Sequence, residues 1–124
     1  MKNKSLCESF RHAAHGFFTL LKEERNLRIH VCITVIVICA SVVLNLSAAE
    51  KAVVTALCFG VICAELINSA IENAVDLSCG VFNMYAKRAK DFAAGAVFIL
   101  SCGAAVCGLI IFLPHIIQMI DVLF

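Results

Sequence analysis

Residues 52–76 read AVVTALCFGVICAELINSAIENAVD, and the class of the fold turns on them. Up to Ala64 the run carries no charge; from Glu65 onward carboxylates and amides appear among residues that stay apolar. A helix crossing the hydrocarbon of a bilayer needs about 20 residues at ~1.5 Å rise each. This run is long enough only if Glu65 and Asn68 lie within it. Glu65, Asn68, Glu72 and Asp76 stand at i, i+3, i+7 and i+11, which places all four along one helix face. Ser69 and Asn73 flank that stripe. Glu65 falls roughly 9 Å inside the apolar zone at helical rise. A carboxylate at that depth is costly and is a candidate for function by default. Protonation, a cation or hydrogen-bond donors would make it tolerable. Hydrogen bonding between helices accounts for Asn68 and Ser69. It accounts poorly for three carboxylates on one stripe, because like charges repel unless something positive lies among them.

Two further apolar runs flank this one, so membrane spans are expected at about 29–46, 52–72 and 92–113. Hydrophobic residues make up 62% of the 124-residue chain and charged residues 15%. Soluble domains run nearer ~45–50% and ~25%. That excess excludes a soluble monomer and a disordered chain. Buried helices of a soluble bundle fit badly, since too few polar residues remain to cover them. A cleaved signal peptide also fits badly, because nearly thirty residues precede the first apolar run and no small-residue cleavage site follows it cleanly. Residues 1–124 are expected to form a single membrane domain. Lys2, Lys4, Arg11, Lys22, Arg25 and Arg28 precede the first span, and Lys87, Arg88 and Lys90 lie between the second and third. The turn 47–51 carries one lysine. By the positive-inside bias the amino terminus and the 77–90 connection face the cytoplasm.

Ahead of the spans, Leu6, Phe10, Ala13, Ala14, Phe17, Phe18 and Leu21 recur at spacings of three and four. They make one apolar face of an amphipathic helix, expected at about 4–22 and lying on the membrane surface or docked on the ends of the spans. Ser78–Gly80 is expected to break the second helix, and 84–91 to run helically into the third span. Pro114 is a candidate kink. The eight cysteines show neither CxxC nor zinc-type spacing and read as small buried hydrophobes.

Two more polar clusters lie at the cytoplasmic mouths of spans one and three. Glu23, Glu24, Asn26, Arg28 and His30 form the first, with Glu24 and Arg28 spaced for an i, i+4 pair. Lys87, Lys90 and Asp91 form the second, which a plain positive-inside anchor would also explain. Together with the stripe they supply carboxylates, amides and cations at one membrane depth. Paired carboxylates such as Glu24 and Glu72 suit a hard divalent cation, and Mg²⁺ accepts oxygen ligands with phosphate completing its shell. Lysine and arginine suit phosphate oxygens. A carboxyl at apolar depth, Glu65, suits proton abstraction from a hydroxyl. The set describes phosphoryl transfer from a metal–nucleotide complex to a membrane-embedded alcohol. A proton or ion pathway would use intramembrane carboxylates too, and the residues alone leave both open. There is no GxxxxGK[ST] and no GxGxxG, so a nucleotide site here would be built on helices.

The segment Glu65-Leu-Ile-Asn68-Ser69-Ala70-Ile71-Glu72-Asn-Ala-Val75-Asp76 resembles the signature E-x-x-N-[ST]-A-I-E-x-x-V-D of the small prokaryotic diacylglycerol kinase / undecaprenol kinase family. Glu24-Arg-Asn26-Leu-Arg28-Ile-His30 is similar to its E-x-N-x-R-x-H segment, and Ala89-Lys90-Asp91 with Ala93-Ala94 to its A-K-D-x-[AG]-[AS] segment. The likeness runs from about Phe10 to Ile111.

This resemblance implies an all-α integral membrane protein with three transmembrane helices and an N-terminal amphipathic surface helix. It further implies a homotrimer with active sites shared between subunits in the bacterial inner membrane. The implied substrates are ATP, with Mg²⁺, and a lipid alcohol; no nucleic-acid partner is expected. By residue it implies Glu24 and Glu72 for the metal, Glu65 as general base, and Asn68 as support for that base and the transferring phosphoryl group. Lys90 and Asp91 are implied for the nucleotide, with Asn26 and Asp76 in support and Lys87 and Arg28 nearby. The stretch 82–88 departs from the tyrosine or histidine pair common in relatives, so nucleotide contacts there are expected to differ. The E-x-N-x-R-x-H form resembles the undecaprenol branch; diacylglycerol is the alternative lipid. A non-enzymatic channel or assembly subunit is the alternative of another class.

Overall fold

The computed structural model describes residues 5–78 and 80–123. Lys2 and Lys4 of the charge count, Cys79, and the first residue expected of the surface helix lie outside them. Four helices follow in order: α1 Leu6–Glu23, α2 Arg25–Val43, α3 Ala48–Ser78 and α4 Met84–Leu123. The described residues include no strand.

Short polar side chains set where the helices begin. Ser5 caps α1 in a reciprocal box, its hydroxyl accepting from the Glu8 N–H at 3.3 Å while its own N–H donates to the Glu8 carboxylate at 3.2 Å. Ser47 and Glu50 repeat that box at the start of α3, at 3.3 and 2.8 Å. Asn83 opens α4 by accepting from the Tyr85 and Ala86 N–H groups. Glu24, with φ −98° and ψ 118°, separates α1 from α2 by one extended residue. Asn45, at φ 52°, takes the left-handed conformation that reverses the chain between α2 and α3 and is tolerated by asparagine. Pro114 lies inside α4, and the helix continues past it to Leu123 although the ring removes one backbone donor.

Helices α3 and α4 form a long antiparallel hairpin closed at both ends by polar pairs. The Lys90 ammonium meets the Asp76 carboxylate at 2.6 Å at one end, and His115 Nε2 meets Glu50 at 3.2 Å at the other. These pairs are 26 residues apart on α3 and 25 on α4, about 38 Å of helix, which brackets a hydrocarbon core of about 30 Å. Between them the helices approach closely at Gly60, where a Cβ would stand 3.7 Å from Leu100 Cδ2.

The burial pattern is that of a membrane protein. Leu27, Leu46, Val54, Val61, Ile62 and Val97 form a thin apolar core. Most large apolar side chains are left uncovered: Ile36, Phe98 and Ile110 are all about two-thirds exposed. In the 40-residue α4 only Val97 is buried. Conversely Glu65, Asn68 and Ser69 are buried on α3. Helices α2, α3 and α4 are each long and apolar enough to cross a membrane. The apolar face of α1 is likewise uncovered, with Leu6, Phe10 and Phe18 exposed.

Candidate active site

The stripe on α3 is turned inward. Glu65 is 3% exposed and Asn68 9%, Glu72 is half-buried and Asp76 exposed, so the stripe rises from the interior to the end of the bundle that holds Lys90. Asn68 Nδ2 donates to Glu72 Oε1 at 3.0 Å, which the i, i+4 spacing permits. Asn68 Oδ1 is buried with no partner among the described residues. An orphaned acceptor of this kind costs ~1–3 kcal/mol, which a bound donor would relieve. No hydrogen bond or ion pair to the Glu65 carboxyl is present among the described residues.

Helix α4 brings cations to the open end of the stripe. Lys90, two residues before the apolar span, bonds Asp76, and Asp76 followed by the more distant Glu72 holds its ammonium protonated beyond the ordinary lysine range. Lys87 pairs with Asp91 one turn apart at 3.3 Å, both well exposed. Arg88 lies over the Phe92 ring, 5.7 Å from its centre.

The cluster on α2 stands apart in this chain. Arg28 Nη1 donates to the Lys22 carbonyl at 3.1 Å, tying α2 to the end of α1. No Glu24–Arg28 ion pair forms among the described residues. Glu24 is half-buried at the α1–α2 junction and its side chain makes no capping bond; Asn26 is exposed. No hydrogen bond or ion pair among the described residues joins Glu24, Asn26 or Arg28 to the stripe. No group of three or more His, Cys, Asp or Glu side chains converges among the described residues. One chain therefore brings no three such side chains together among the described residues, and a hard cation held by one or two of these carboxylates would need phosphate and water for the rest of its shell.

Two polar features escaped the sequence reading. Glu50 and His115 meet at the far end, beyond the apolar spans. There the Ser47 hydroxyl and backbone N–H, and then His115, hold the Glu50 carboxyl down at about 2. Ser101 lies mid-span in α4, and its Oγ is buried without a partner among the described residues. Thr34 and Ser41, the buried hydroxyls of α2, bond back to the His30 and Ile38 carbonyls instead. A lone hydroxyl in an apolar run is a faint signal; its depth relative to Glu65 follows only once helices α3 and α4 are in register.

Three membrane-length helices around an inward stripe of carboxylates and amides, with lysines at its open end, define a helical membrane protein equipped to handle phosphate. The comparison with known sequences narrows that class. Residues 11–112 match the family described as prokaryotic diacylglycerol kinase, and the chain belongs to it. It is 37% identical over 109 residues to an undecaprenol kinase of Bacillus subtilis, covering 88% of this chain and 89% of that one. It is 38% identical over 116 residues to a diacylglycerol kinase of Synechocystis, covering 93% of this chain and 66% of that one. A diacylglycerol kinase of Pseudomonas aeruginosa is 30% identical over 96 residues, 77% of this chain and 78% of its own. Membership makes the chain a lipid phosphotransferase.

Proposed function

We propose that the protein is an undecaprenol kinase: it transfers the γ-phosphoryl group of ATP, with Mg²⁺, to the terminal hydroxyl of undecaprenol at the cytoplasmic face of a bacterial inner membrane. The observation that carries the reading is the buried Glu65, one turn from an Asn68–Glu72 hydrogen bond on a stripe that ends at Lys90. Glu65 takes the proton of the lipid hydroxyl, whose oxygen forms a bond to the γ-phosphorus as the bond to the ADP oxygen breaks. The proton leaves Glu65 for water afterwards. Asn68 fixes Glu72 through its amide and offers Oδ1 to a donor at the reacting group. Lys90 and Lys87 neutralise the phosphates, Asp91 faces the nucleoside, and Asp76, Asn26 and Arg28 support that site. Glu24 and Glu72 would hold Mg²⁺, which when bound neutralises charge on the phosphates. One subunit leaves the α2 cluster unconnected to the stripe, which supports a homotrimer whose sites are completed across subunit contacts. The amphipathic α1 lies on the cytoplasmic membrane surface.

The form Glu24-x-Asn26-x-Arg28-x-His30 and the near full-length match to the B. subtilis protein favour undecaprenol. Diacylglycerol is the second reading, supported by the Synechocystis likeness at a similar identity. The deciding experiment offers both lipids in competition to the protein in nanodiscs with radiolabelled ATP. Labelled undecaprenyl phosphate in excess is the expected product. Phosphatidic acid in excess would move the assignment to diacylglycerol, and no product from either would defeat the kinase reading.

A further inference from the structure

A groove of about 550 Å³ runs between α2, α3 and α4, mostly at hydrocarbon depth, with His30 lining it on α2 and Ile116 at its outer end. Its α3 wall is Val54, Leu57, Cys58 and Val61. Those positions are the outward continuation of the Glu65–Asn68–Glu72 face, since 61 and 65 are one turn apart. Its α4 wall starts at Ser101. Gly60 approaches Leu100, so Ser101, the next residue of α4, lies near the level of Gly60 and Val61, about one turn outward of Glu65. The groove therefore ends one turn short of Glu65, beside a buried hydroxyl that has no partner among the described residues. Small residues keep the α4 wall open: Ser101, Ala104, Ala105 and Gly108. A Cβ built on Gly108 meets nothing within 4 Å.

The dimensions decide what fits. From Ser101 to Ile116 the groove follows about 22 Å of α4. The α2 and α3 walls, His30–Val37 and Val54–Val61, cover only about 10 Å of that, over which a helix of ~10 Å width fills roughly 800 Å³, more than the space present. A single hydrocarbon chain along the whole α4 wall, about 5 Å wide from carbon–carbon contact distances, fills roughly 400 Å³. Resting on the lipid-kinase reading, we infer that this groove seats one hydrocarbon chain of the lipid alcohol, with its hydroxyl delivered to Glu65 past Ser101, and that the small-residue wall around Gly108 determines which chains are accepted. Gly108 is thus a specificity-determining position of the reaction.

The test uses two glycines of α4. Gly103 and Gly108 both face open space, but only Gly108 lines the groove. Gly108→Phe and Gly103→Phe are compared on a long prenol, undecaprenol, and a short one, farnesol, and on dioleoylglycerol against dihexanoylglycerol. Gly108→Phe is expected to raise KM for the long chains about tenfold or more while leaving kcat/KM for the short ones within about twofold. Gly103→Phe is expected to leave both unchanged. Equal effects of the two substitutions, or none from Gly108→Phe, would overturn the assignment. A readout without turnover accompanies this: a prenol bearing a diazirine midway along its chain is photolysed with the protein and no ATP, and adducts are located by mass spectrometry. Adducts on Cys58 and Ala104 that vanish in Gly108→Phe are expected. Adducts confined to the outward residues Phe98, Ile99 and Val106 would overturn it. So would a change of oligomeric state in Gly108→Phe, which would assign the groove to a second copy of the chain. Wild-type protein that labels the groove yet phosphorylates neither lipid would sink the kinase reading while leaving the chain seat standing.

Discussion

The two ends of the α3–α4 hairpin look alike at first and differ in what lies behind them. Each is closed by one carboxylate on α3 and one cationic or protonatable group on α4, Asp76 with Lys90 and Glu50 with His115. Behind Asp76, moving into the bundle, come Glu72, Asn68 and Glu65, progressively more buried. Behind Glu50 on the same helix come Val54, Leu57, Cys58 and Val61, the wall of an apolar groove. A surface pair needs no function, because it stays hydrated and contributes little. A carboxyl at 3% exposure without a partner among the described residues must be worth its cost in some other way. On the proposed function, the buried ladder, and not the charge pair at its mouth, marks the working end.

The largest expected effect follows from that ladder. Glu65→Gln keeps size and polarity but removes the proton acceptor, so turnover in the radiolabel assay is expected to fall on the order of 10²- to 10⁴-fold. ATP binding, followed by equilibrium dialysis, is expected to persist. Glu72→Gln leaves a group that can still accept from Asn68 but halves the carboxylate set for the cation. The expected signature is lost turnover that excess Mg²⁺ partly restores, with the oligomer intact by size exclusion. If Glu65→Gln retained wild-type turnover, the two ends of the hairpin would be functionally equivalent and the contrast would collapse.

A smaller effect is expected at the mouth of the ladder. Lys90 donates to Asp76 and feels Glu72. Lys90→Ala removes the proposed charge-assisted contact to phosphate, and KM for ATP is expected to rise roughly ten- to a hundredfold with kcat less affected. Asp76→Asn keeps a hydrogen-bond acceptor for Lys90 and lowers the negative charge near the phosphates, so its KM is expected to move less. A larger effect from Asp76→Asn than from Lys90→Ala would make Asp76, and not the lysine, the nucleotide contact.

Several of these distinctions were legible before any coordinates. Three spans followed from apolar runs whose length matches a bilayer, because hydropathy is a local property of the chain. The stripe followed from the i, i+3, i+7, i+11 spacing, because helical periodicity alone brings those residues to one face. What could not be read depends on the register between helices. Lys90 pairs with Asp76 fourteen residues away, and Leu100 meets Gly60 so that Ser101 lies about a turn outward of Glu65, only because α4 packs antiparallel to α3 at one particular offset. The Glu24–Arg28 spacing suggested a pair that does not form among the described residues, for a local reason. Glu24 is extended and sits outside both helices, so the i, i+4 rule does not govern it, and the guanidinium turns to the Lys22 carbonyl.

The smallest effect belongs to the far end and tests the contrast from the opposite side. Glu50 is held at about 2 first by the Ser47 hydroxyl, then by the Ser47 N–H, and then by His115. A carboxylate whose folded-state pKa is lowered stabilises the fold above its ordinary value of 4.5, and loses that contribution as pH falls toward about 2. Glu50→Gln removes the titration. Its thermal midpoint in detergent is therefore expected to lie slightly below wild type at neutral pH and to converge with it near pH 2. His115→Ala removes the contact across the hairpin but leaves the Ser47–Glu50 box, so its shift should be the lesser of the two. Lipid phosphorylation by both variants is expected to equal wild type, since the pair is separated from Glu65 by about 22 Å of helix. A loss of turnover in Glu50→Gln without a matching loss of stability would show that the far end communicates with the ladder through the groove between them. The hairpin would then have to be treated as one site rather than two ends.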